Sequence, residues 1–408
     1  MRIRRTVPPT AAPIKPIDLV EGLAGLFRAG QRYHDGLEKG IKEHFDVSHV
    51  LCISSGKAAL TLILLALKNL SNRKRVVIPA YTCFSVPSSV AKAGLEIVPC
   101  DIDPVTLDFD YDCLKTKITH ETLCIVATHL FGIPANLDKV KELCVEKVVF
   151  VVEDAAQAMG GEHKGRKLGT IGDVGFYSLG RGKNITCGSG AIIVTNSDII
   201  AAALTRQYTN LEETSFAEDL KNFAQFCFMS LFIWPYLYWF PAGMPFLKLG
   251  QTFFYKDFAI RKLSGRRAAL LQNWCDRLAQ SNQTRTKVAL DFFKNIFMNN
   301  VEEPCIPYLR FPILVQDRKT RDQIYARSQA KGLGISLMYP TAVNEIEELK
   351  TAFAEQVFPG AKRVAETLVT LPTHHLLTDT DKKAICDLFD RTAVPEVQQT
   401  AFSTSEVV

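Results

Sequence analysis

The chain has 408 residues, of which 47% are hydrophobic and 22% are charged, and its formal net charge is +5. This composition indicates a globular protein with a large core and excludes a chain that is mainly disordered. The net charge is small because 48 basic side chains are nearly balanced by 43 acidic ones, and it gives no support for a nucleic-acid partner. The eleven cysteines form no CxxC pair and the N-terminus has no apolar run, so we expect a cytoplasmic protein without a secretory signal.

Apolar runs alternate with helical segments from about residue 50 to residue 195. The runs are VLCIS, RVVIP, LEIVPC, LCIVAT, VVFVV and AIIVT. This alternation predicts an α/β fold with a mostly parallel, doubly wound sheet that carries helices on both faces. Ligands of such sheets bind beyond the C-terminal ends of the strands, where Gly56, Thr82, His129 and Asp154 fall in this sequence.

Residues 223–247 form a stretch without any charged side chain, interrupted by three prolines. The prolines argue against a straight transmembrane helix. Two interpretations stay open for this apolar insert: a peripheral contact with the inner face of a membrane, or a buried subunit-interface or active-site cover. An exposed surface this apolar requires some covering partner.

The C-terminal part begins with a segment that predicts one long amphipathic helix, from LSGRRAALL to DFFKNI. Shorter strand and helix units follow, which indicates a small α+β domain. We therefore expect a large domain over residues 18–255 and a small one over 256–392. Residues 1–17 and 393–408 are expected to be tails.

The stretch from Val148 to residue 195 holds the clearest chemistry. Glu153 and Asp154 end an apolar strand, and Lys183 follows about thirty residues later on a glycine-rich turn. A carboxylate can keep the ring nitrogen of a pyridine cofactor protonated, and a lysine can form a Schiff base with its aldehyde. A solvated loop lysine is the ordinary alternative for Lys183.

The segment VVEDAAQAMGGEHKGRKLGTIGDVGFYSLGRGKNIT resembles the cofactor stretch of the DegT/DnrJ/EryC1/StrS aminotransferases. SSGKAAL, HLFGIPANLD and FPGAKRVAETLVTLPTHHLLTDTD are similar to other parts of that family, so the resemblance covers about residues 30–390. It implies the pyridoxal 5′-phosphate transferase fold of type I, a homodimer, and transfer of an amino group from glutamate to a keto-sugar nucleotide. Such chemistry serves the biosynthesis of surface polysaccharides or glycoconjugates.

The resemblance also implies roles for individual residues. Lys183 matches the lysine that binds the cofactor aldehyde and shuttles protons, and Asp154 matches the partner of the ring nitrogen. Gln157 matches the residue beside the phenolic oxygen. The phosphate would be held by Ser178 and by backbone N–H groups of the turn, at Gly56, Lys57 and Ala58.

Several positions depart from the family pattern. Lys57 replaces a threonine, and its side chain either adds charge beside the phosphate or points to solvent. Cys83 stands where an aromatic residue often stacks on the cofactor ring, so that stacking falls to Phe84 or Tyr81 or is absent. Ala259 stands where the family has an asparagine that reaches the phosphate of the neighbouring subunit, and Met338 replaces a histidine, so we expect substrate recognition to differ.

Two other functions stay open from the sequence. A sugar dehydratase would keep the cofactor, but such relatives tend to replace the lysine with histidine, whereas this chain keeps Lys183. A membrane-associated regulatory or scaffold protein would use the cofactor site for binding only and residues 223–247 as an anchor.

Overall fold

The computed structural model describes residues 4–28, 30–297 and 306–389. The described helices are α1 Pro16–Phe27, α2 Gln31–Phe45, α3 Gly56–Leu70, α4 Ser85–Lys92, α5 Tyr111–Lys117, α6 Leu137–Cys144, α7 Asp198–Thr209, α8 Phe216–Phe232, α9 Trp239–Ala242, α10 Gly265–Ala268, α11 Trp274–Phe292, α12 Arg318–Lys331, α13 Pro359–Thr367 and α14 Asp379–Cys386. The described strands are β1 His49–Ile53, β2 Arg75–Pro79, β3 Glu96–Cys100, β4 Thr122–Thr128, β5 Phe150–Asp154, β6 Glu162–His163, β7 Arg166–Lys167, β8 Val174–Ser178, β9 Ala191–Thr195, β10 Arg310–Leu314 and β11 Leu368–Pro372.

A seven-stranded sheet with the order β1-β9-β8-β5-β4-β2-β3 forms the centre of the fold. The neighbours from β8 through β5, β4 and β2 to β3 are parallel, whereas β9 is antiparallel to both β8 and β1. The predicted mostly parallel sheet is therefore confirmed. The strand β5 begins at Phe150, two residues after Val148, which ends a 3₁₀ turn in a left-handed conformation with a φ of 49°.

Alternate residues of the sheet face two separate hydrophobic cores, one on each side. Val76, Val126 and Val152 pack into one core, whereas Val77 and Val151 pack into the other. The strands are apolar on both faces because helices cover both. This is the doubly wound arrangement that the alternation of strands and helices predicts.

The second part of the chain contributes the antiparallel pair β10–β11 and the helices α11 to α14. The prediction of one long helix at the start of this part is wrong. α10 ends at Ala268, a 3₁₀ turn covers Ala269–Leu271, and α11 starts at Trp274. The Arg277 side chain donates to the carbonyl of Leu270 at 2.9 Å, which supports the break. The domain division at residue 255 stays a prediction.

The sequence predicts a tail over residues 1–17. Its segment 4–13 packs against both parts of the chain, and Thr10 in this segment donates to the carbonyl of Gly182 in the first part. Val7 and Ala11 are buried. The carbonyl of Ala11 accepts from buried Arg285 at 2.9 Å, and that of Pro8 accepts from His374 at 2.8 Å. The expected C-terminal tail, 393–408, lies outside the described residues.

The apolar insert is divided by its prolines. α8 starts at the capping box of Ser215 and Glu218 and ends at Phe232, shortly before Pro235, and the short α9 and a 3₁₀ turn follow. In the described ranges, no helix combines the length and the apolar character that a membrane crossing requires.

Candidate active site

A cavity of about 210 Å³ lies at the C-terminal ends of β1, β2, β4, β5 and β8. Seven of the nine residues that the sequence analysis assigns to the cofactor line it: Gly56, Lys57, Cys83, Asp154, Gln157, Ser178 and Lys183. Ala58 and Phe84 do not line it and pack in the hydrophobic core instead. The parallel strands explain the convergence, because their carboxyl ends meet at one edge of the sheet.

The floor of the cavity at β1 is the first turn of α3. Ser55 caps this helix, and its Oγ accepts the N–H of Ala58 at 3.2 Å, so that amide is already engaged. The amides of Gly56 and Lys57 belong to the first turn, whose N–H groups have no partner inside a helix. Ser178 Oγ lies 3.4 Å from the position that a Cβ atom on Gly56 would occupy. Free N–H groups at a helix N-terminus beside a hydroxyl suit an anion, so the turn and the hydroxyl are a candidate anion site.

The side chain of Lys57 takes neither of its two expected positions. Its Nζ lies 3.4 Å from the centre of the Tyr255 ring and 4.9 Å from that of Phe258. A cation over two aromatic faces is held by a cation–π interaction. The Lys57 charge therefore contacts the chain after the insert, and only its backbone N–H stays a candidate for the anion site.

Asp154 is the last residue of β5 and is buried. Its Oδ1 accepts the N–H of Ala156 at 3.1 Å. Burial raises the pKa of Asp154 above its usual range, and the nearby Lys183 ammonium opposes this shift. A buried carboxylate of this kind gains most from a cationic partner in the cavity.

Gln157 is also buried, and its Nε2 donates to Tyr339 Oη at 2.9 Å. Tyr339 lines the same cavity, although it lies in the C-terminal part of the chain. It directly follows Met338, one of the positions at which the sequence departs from the family pattern.

His129 and Glu153, the residue before Asp154, form a fully buried pair. His129 Nε2 donates to Glu153 Oε2 at 2.9 Å, while its Nδ1 accepts the N–H of Ala135 at 3.0 Å. The N–H of Gly169 also donates to Glu153 Oε2, at 2.7 Å. Both residues therefore hold the ends of β4 and β5 in place and have a structural role.

Lys183 is half-buried and follows Gly182, whose φ of 73° is in the left-handed region that favours glycine. Thr10 Oγ1 donates to the carbonyl of Gly182 at 3.0 Å and so fixes this turn. Burial lowers the pKa of Lys183, Cys83 and Asp154 oppose that shift, and the Arg310 charge adds to it. A lysine with a lowered pKa has more of the neutral amine that acts as a nucleophile.

Cys83 lines the cavity, and its Sγ accepts from Ser85 Oγ at 3.0 Å. Neither of the two aromatic residues considered for stacking reaches the wall: Phe84 packs into the hydrophobic core, and the Tyr81 ring lies 5.4 Å from that of Tyr339. The aromatic side chains on the wall are Phe176 and Tyr339.

Three buried polar atoms of the wall have no hydrogen-bond partner among the described residues: Thr82 Oγ1, Thr128 Oγ1 and Gln157 Oε1. Such atoms are rare in native proteins, and a polar ligand or a water molecule in the cavity would satisfy them. Together with the anion site they fit a cofactor that carries a phosphate and polar ring substituents. Thr128 is not among the residues predicted from the sequence, and only its position as the last residue of an apolar strand could have indicated it.

A family model described as the DegT/DnrJ/EryC1/StrS aminotransferase family matches residues 23–225 and 257–390. The GDP-perosamine synthase of Vibrio cholerae is 32% identical over 169 residues, which are 41% of this chain and 46% of that protein. The L-glutamine:2-deoxy-scyllo-inosose aminotransferase of Streptomyces kanamyceticus is 32% identical over 179 residues, or 44% and 42% of the two chains. The chain thus spans just under half the length of the curated relatives that it matches.

Solved structures share the fold over nearly the whole chain. A sugar aminotransferase from Micromonospora echinospora has a TM-score of 0.74 at 22% identity and covers 94% of this chain and 98% of its own. The E. coli GDP-4-keto-6-deoxy-D-mannose-3-dehydratase has a TM-score of 0.71 at 16% identity and covers 96% and 100%. These likenesses confirm the fold of type I pyridoxal-phosphate enzymes. The family model matches well over half of the chain, which shows that the chain belongs to the DegT/DnrJ/EryC1/StrS aminotransferase family.

Proposed function

We propose that this protein is a pyridoxal-phosphate-dependent aminotransferase that moves an amino group from L-glutamate to a keto-sugar nucleotide for surface polysaccharide or glycoconjugate biosynthesis. The observation that carries the proposal is the meeting of Asp154, Gln157, Ser178 and Lys183 around one cavity. The relatives named as a GDP-perosamine synthase and as an aminotransferase support the substrate class.

Each wall residue has a distinct task in this proposal. The cofactor, when bound, supplies an aldehyde and a ring that draws electrons from the reacting carbon. Ser178 and the amides of Gly56 and Lys57 would hold its phosphate, and the Asp154 carboxylate would hold the proton of its ring nitrogen. Lys183 would hold the cofactor through its aldehyde and would move a proton between carbon atoms with its neutral amine.

The test follows the spectrum of the purified full chain with pyridoxal phosphate. L-glutamate should remove the visible absorbance, and one member of a panel of keto-sugar nucleotides should restore it. Mass spectrometry of the sugar product should show an added amino group. Loss of a hydroxyl without amination would instead indicate the dehydratase, and no response to glutamate or glutamine would refute amino transfer.

We also propose that the protein is a cytoplasmic homodimer. The ten described cysteines are all free, which supports a reducing compartment. One face of α1 exposes an apolar row that a second copy would cover: Ile17, Val20, Leu23 and Phe27. In sedimentation velocity, Val20→Glu with Leu23→Glu should yield monomers, whereas Ile199→Glu, on the exposed surface of α7, should not. A monomeric wild type would refute the dimer.

We propose in addition that the apolar insert touches the inner face of the membrane peripherally. Leu231, Trp234, Tyr236 and Phe246 are exposed there, and aromatic residues favour the membrane interface. The wild type should float with anionic vesicles, and Trp234→Glu with Phe246→Glu should not. Ile199→Glu is the matched control. Equal recovery of all three proteins with the vesicles would refute this contact.

A further inference from the structure

Residues 226–256 lie outside the family match and form one wall of a second cavity, of about 570 Å³. This volume is in the range of about 300–1,000 Å³ that is typical of small-molecule sites. The cavity adjoins the turn of the candidate active site, because Arg181 and Gly182 line it as well. Its apolar lining comes mainly from the insert: Phe228, Met229, Phe232, Ile233, Pro241 and Leu247.

Three cations face this apolar cavity: Arg181, Lys221 and Arg310. No aspartate or glutamate is among its lining residues, and within the described ranges none of the three cations forms an ion pair. Cations that lack a carboxylate partner beside an apolar wall are complementary to a ligand that joins an anion to an apolar group.

Arg310 connects this cavity with the candidate active site. It also lines a third cavity, of about 670 Å³, whose wall includes Tyr339. Tyr339 in turn lines the cofactor cavity. The guanidinium of Arg310 donates to Ser336 Oγ, which orients it at the junction of the two larger cavities. An anionic head at Arg310 would therefore lie between the insert and the site of chemistry.

We propose that the insert cavity binds an anionic amphiphile, with its aliphatic chain against Met229 and Phe232 and its phosphate at Lys221 and Arg310. The ligand is either a single-chain phosphate ester free in solution or a phospholipid drawn from a bilayer, because both present the same chemistry. This binding site goes beyond the proposed amino transfer and does not depend on it.

The first experiment is calorimetric titration of the full chain, purified with pyridoxal phosphate, with monomeric alkyl phosphates from hexyl to dodecyl. The affinity should rise by about fourfold for each added methylene until the cavity is filled. Inorganic phosphate and UDP should bind much more weakly. Affinity that does not depend on chain length, or UDP that competes as strongly as dodecyl phosphate, would overturn the proposal.

Variants locate the binding. Ala224→Trp fills the cavity from an exposed position of α8 and should weaken dodecyl phosphate binding by about tenfold or more. Lys221→Gln should weaken it less, because two cations remain. Phe246→Ala removes an exposed ring that does not line the cavity and should bind like the wild type. Thermal unfolding monitors the fold of each variant. If Ala224→Trp binds dodecyl phosphate with the affinity of the wild type, the proposed binding site is wrong.

Vesicles separate the two sources of the ligand. The wild type is tested for binding to phosphatidylglycerol vesicles. If Ala224→Trp loses both vesicle binding and dodecyl phosphate binding, the bilayer is the source of the ligand. If the wild type binds dodecyl phosphate and Ala224→Trp binds vesicles as well as the wild type does, the ligand is a free amphiphile. The glutamate response of the wild-type spectrum is measured in parallel, so failure of the amphiphile site is distinguishable from failure of the aminotransferase.

Discussion

Gln157 Nε2 donates to Tyr339 Oη at 2.9 Å, between residues that are 182 positions apart in the chain. Gln157 follows β5 of the central sheet, and Tyr339 belongs to the C-terminal part, so this bond closes the cofactor cavity between two regions of the chain. Burial raises the pKa of Tyr339 well above its usual range, which keeps the phenol neutral at physiological pH.

Tyr339→Phe should weaken the binding of pyridoxal phosphate. The substitution removes the acceptor of the buried Gln157 amide, and a buried donor left without a partner costs about 1–3 kcal/mol. Equilibrium dialysis gives the dissociation constant of the cofactor. Tyr236→Phe, which changes an exposed tyrosine, is the matched control. An unchanged constant in Tyr339→Phe would show that the bond does not support the cofactor.

Lys183→Ala should abolish the visible absorbance that depends on covalent attachment of the cofactor. It should also lower amino transfer by about 10²–10⁴-fold or more, since positioned acid–base groups contribute that much. Absorbance spectra and a coupled glutamate assay measure the two effects. Lys164→Ala removes a comparable but exposed lysine and should leave both unchanged. Full activity in Lys183→Ala would remove the basis of the assignment.

Glu153→Gln should destabilise the fold around the site. The carboxylate accepts hydrogen bonds from His129 Nε2 and from the N–H groups of Gly169 and Gly172, and an amide would turn an N–H towards one of these donors. We expect the free energy of unfolding to fall by about 1–3 kcal/mol, measured by urea denaturation. Glu146→Gln, at an exposed glutamate, should stay within error of the wild type. Equal midpoints for the two variants would contradict this role.

The stability of the protein should fall in mild acid because of His374. Burial lowers the pKa of His374 to about 3, and its Nε2 donates to the carbonyl of Pro8 at 2.8 Å. An unfolded histidine titrates near pH 6.5, so between about pH 6.5 and 3 the unfolded state binds more protons. The free energy of unfolding should therefore be about 2 kcal/mol lower at about pH 5 than at about pH 7 from this residue alone.

Urea denaturation at the two pH values tests this prediction. His374→Gln should be less stable than the wild type at about pH 7, because it loses the contact with Pro8, and it should show a smaller difference between the two pH values. His120→Gln, at an exposed histidine, should keep the wild-type difference. If His374→Gln shows the same difference in unfolding free energy between the two pH values as the wild type, other groups cause the pH dependence.

The sequence by itself determined the α/β sheet and seven of the residues that line the cavity. Strands and their ends are local features, because a buried parallel strand needs a short β-branched run and its ligand-binding residues come directly after it. Asp154, Gln157, Ser178 and Lys183 all lie within about thirty residues of one another, and their spacing is enough for the family resemblance. The strand β8 was less visible, since its sequence VGFYS contains only one β-branched residue.

Only the tertiary structure decided the contacts between distant segments. Tyr339 and Arg310 reach the cavities from the C-terminal part, and Lys57 turns to Tyr255 across nearly 200 positions. The N-terminal segment packs beside Lys183 through Thr10. No local pattern encodes such contacts, because they depend on which buried surfaces and polar groups become neighbours after the chain has folded. The free energy of these contacts is gained only in the assembled core.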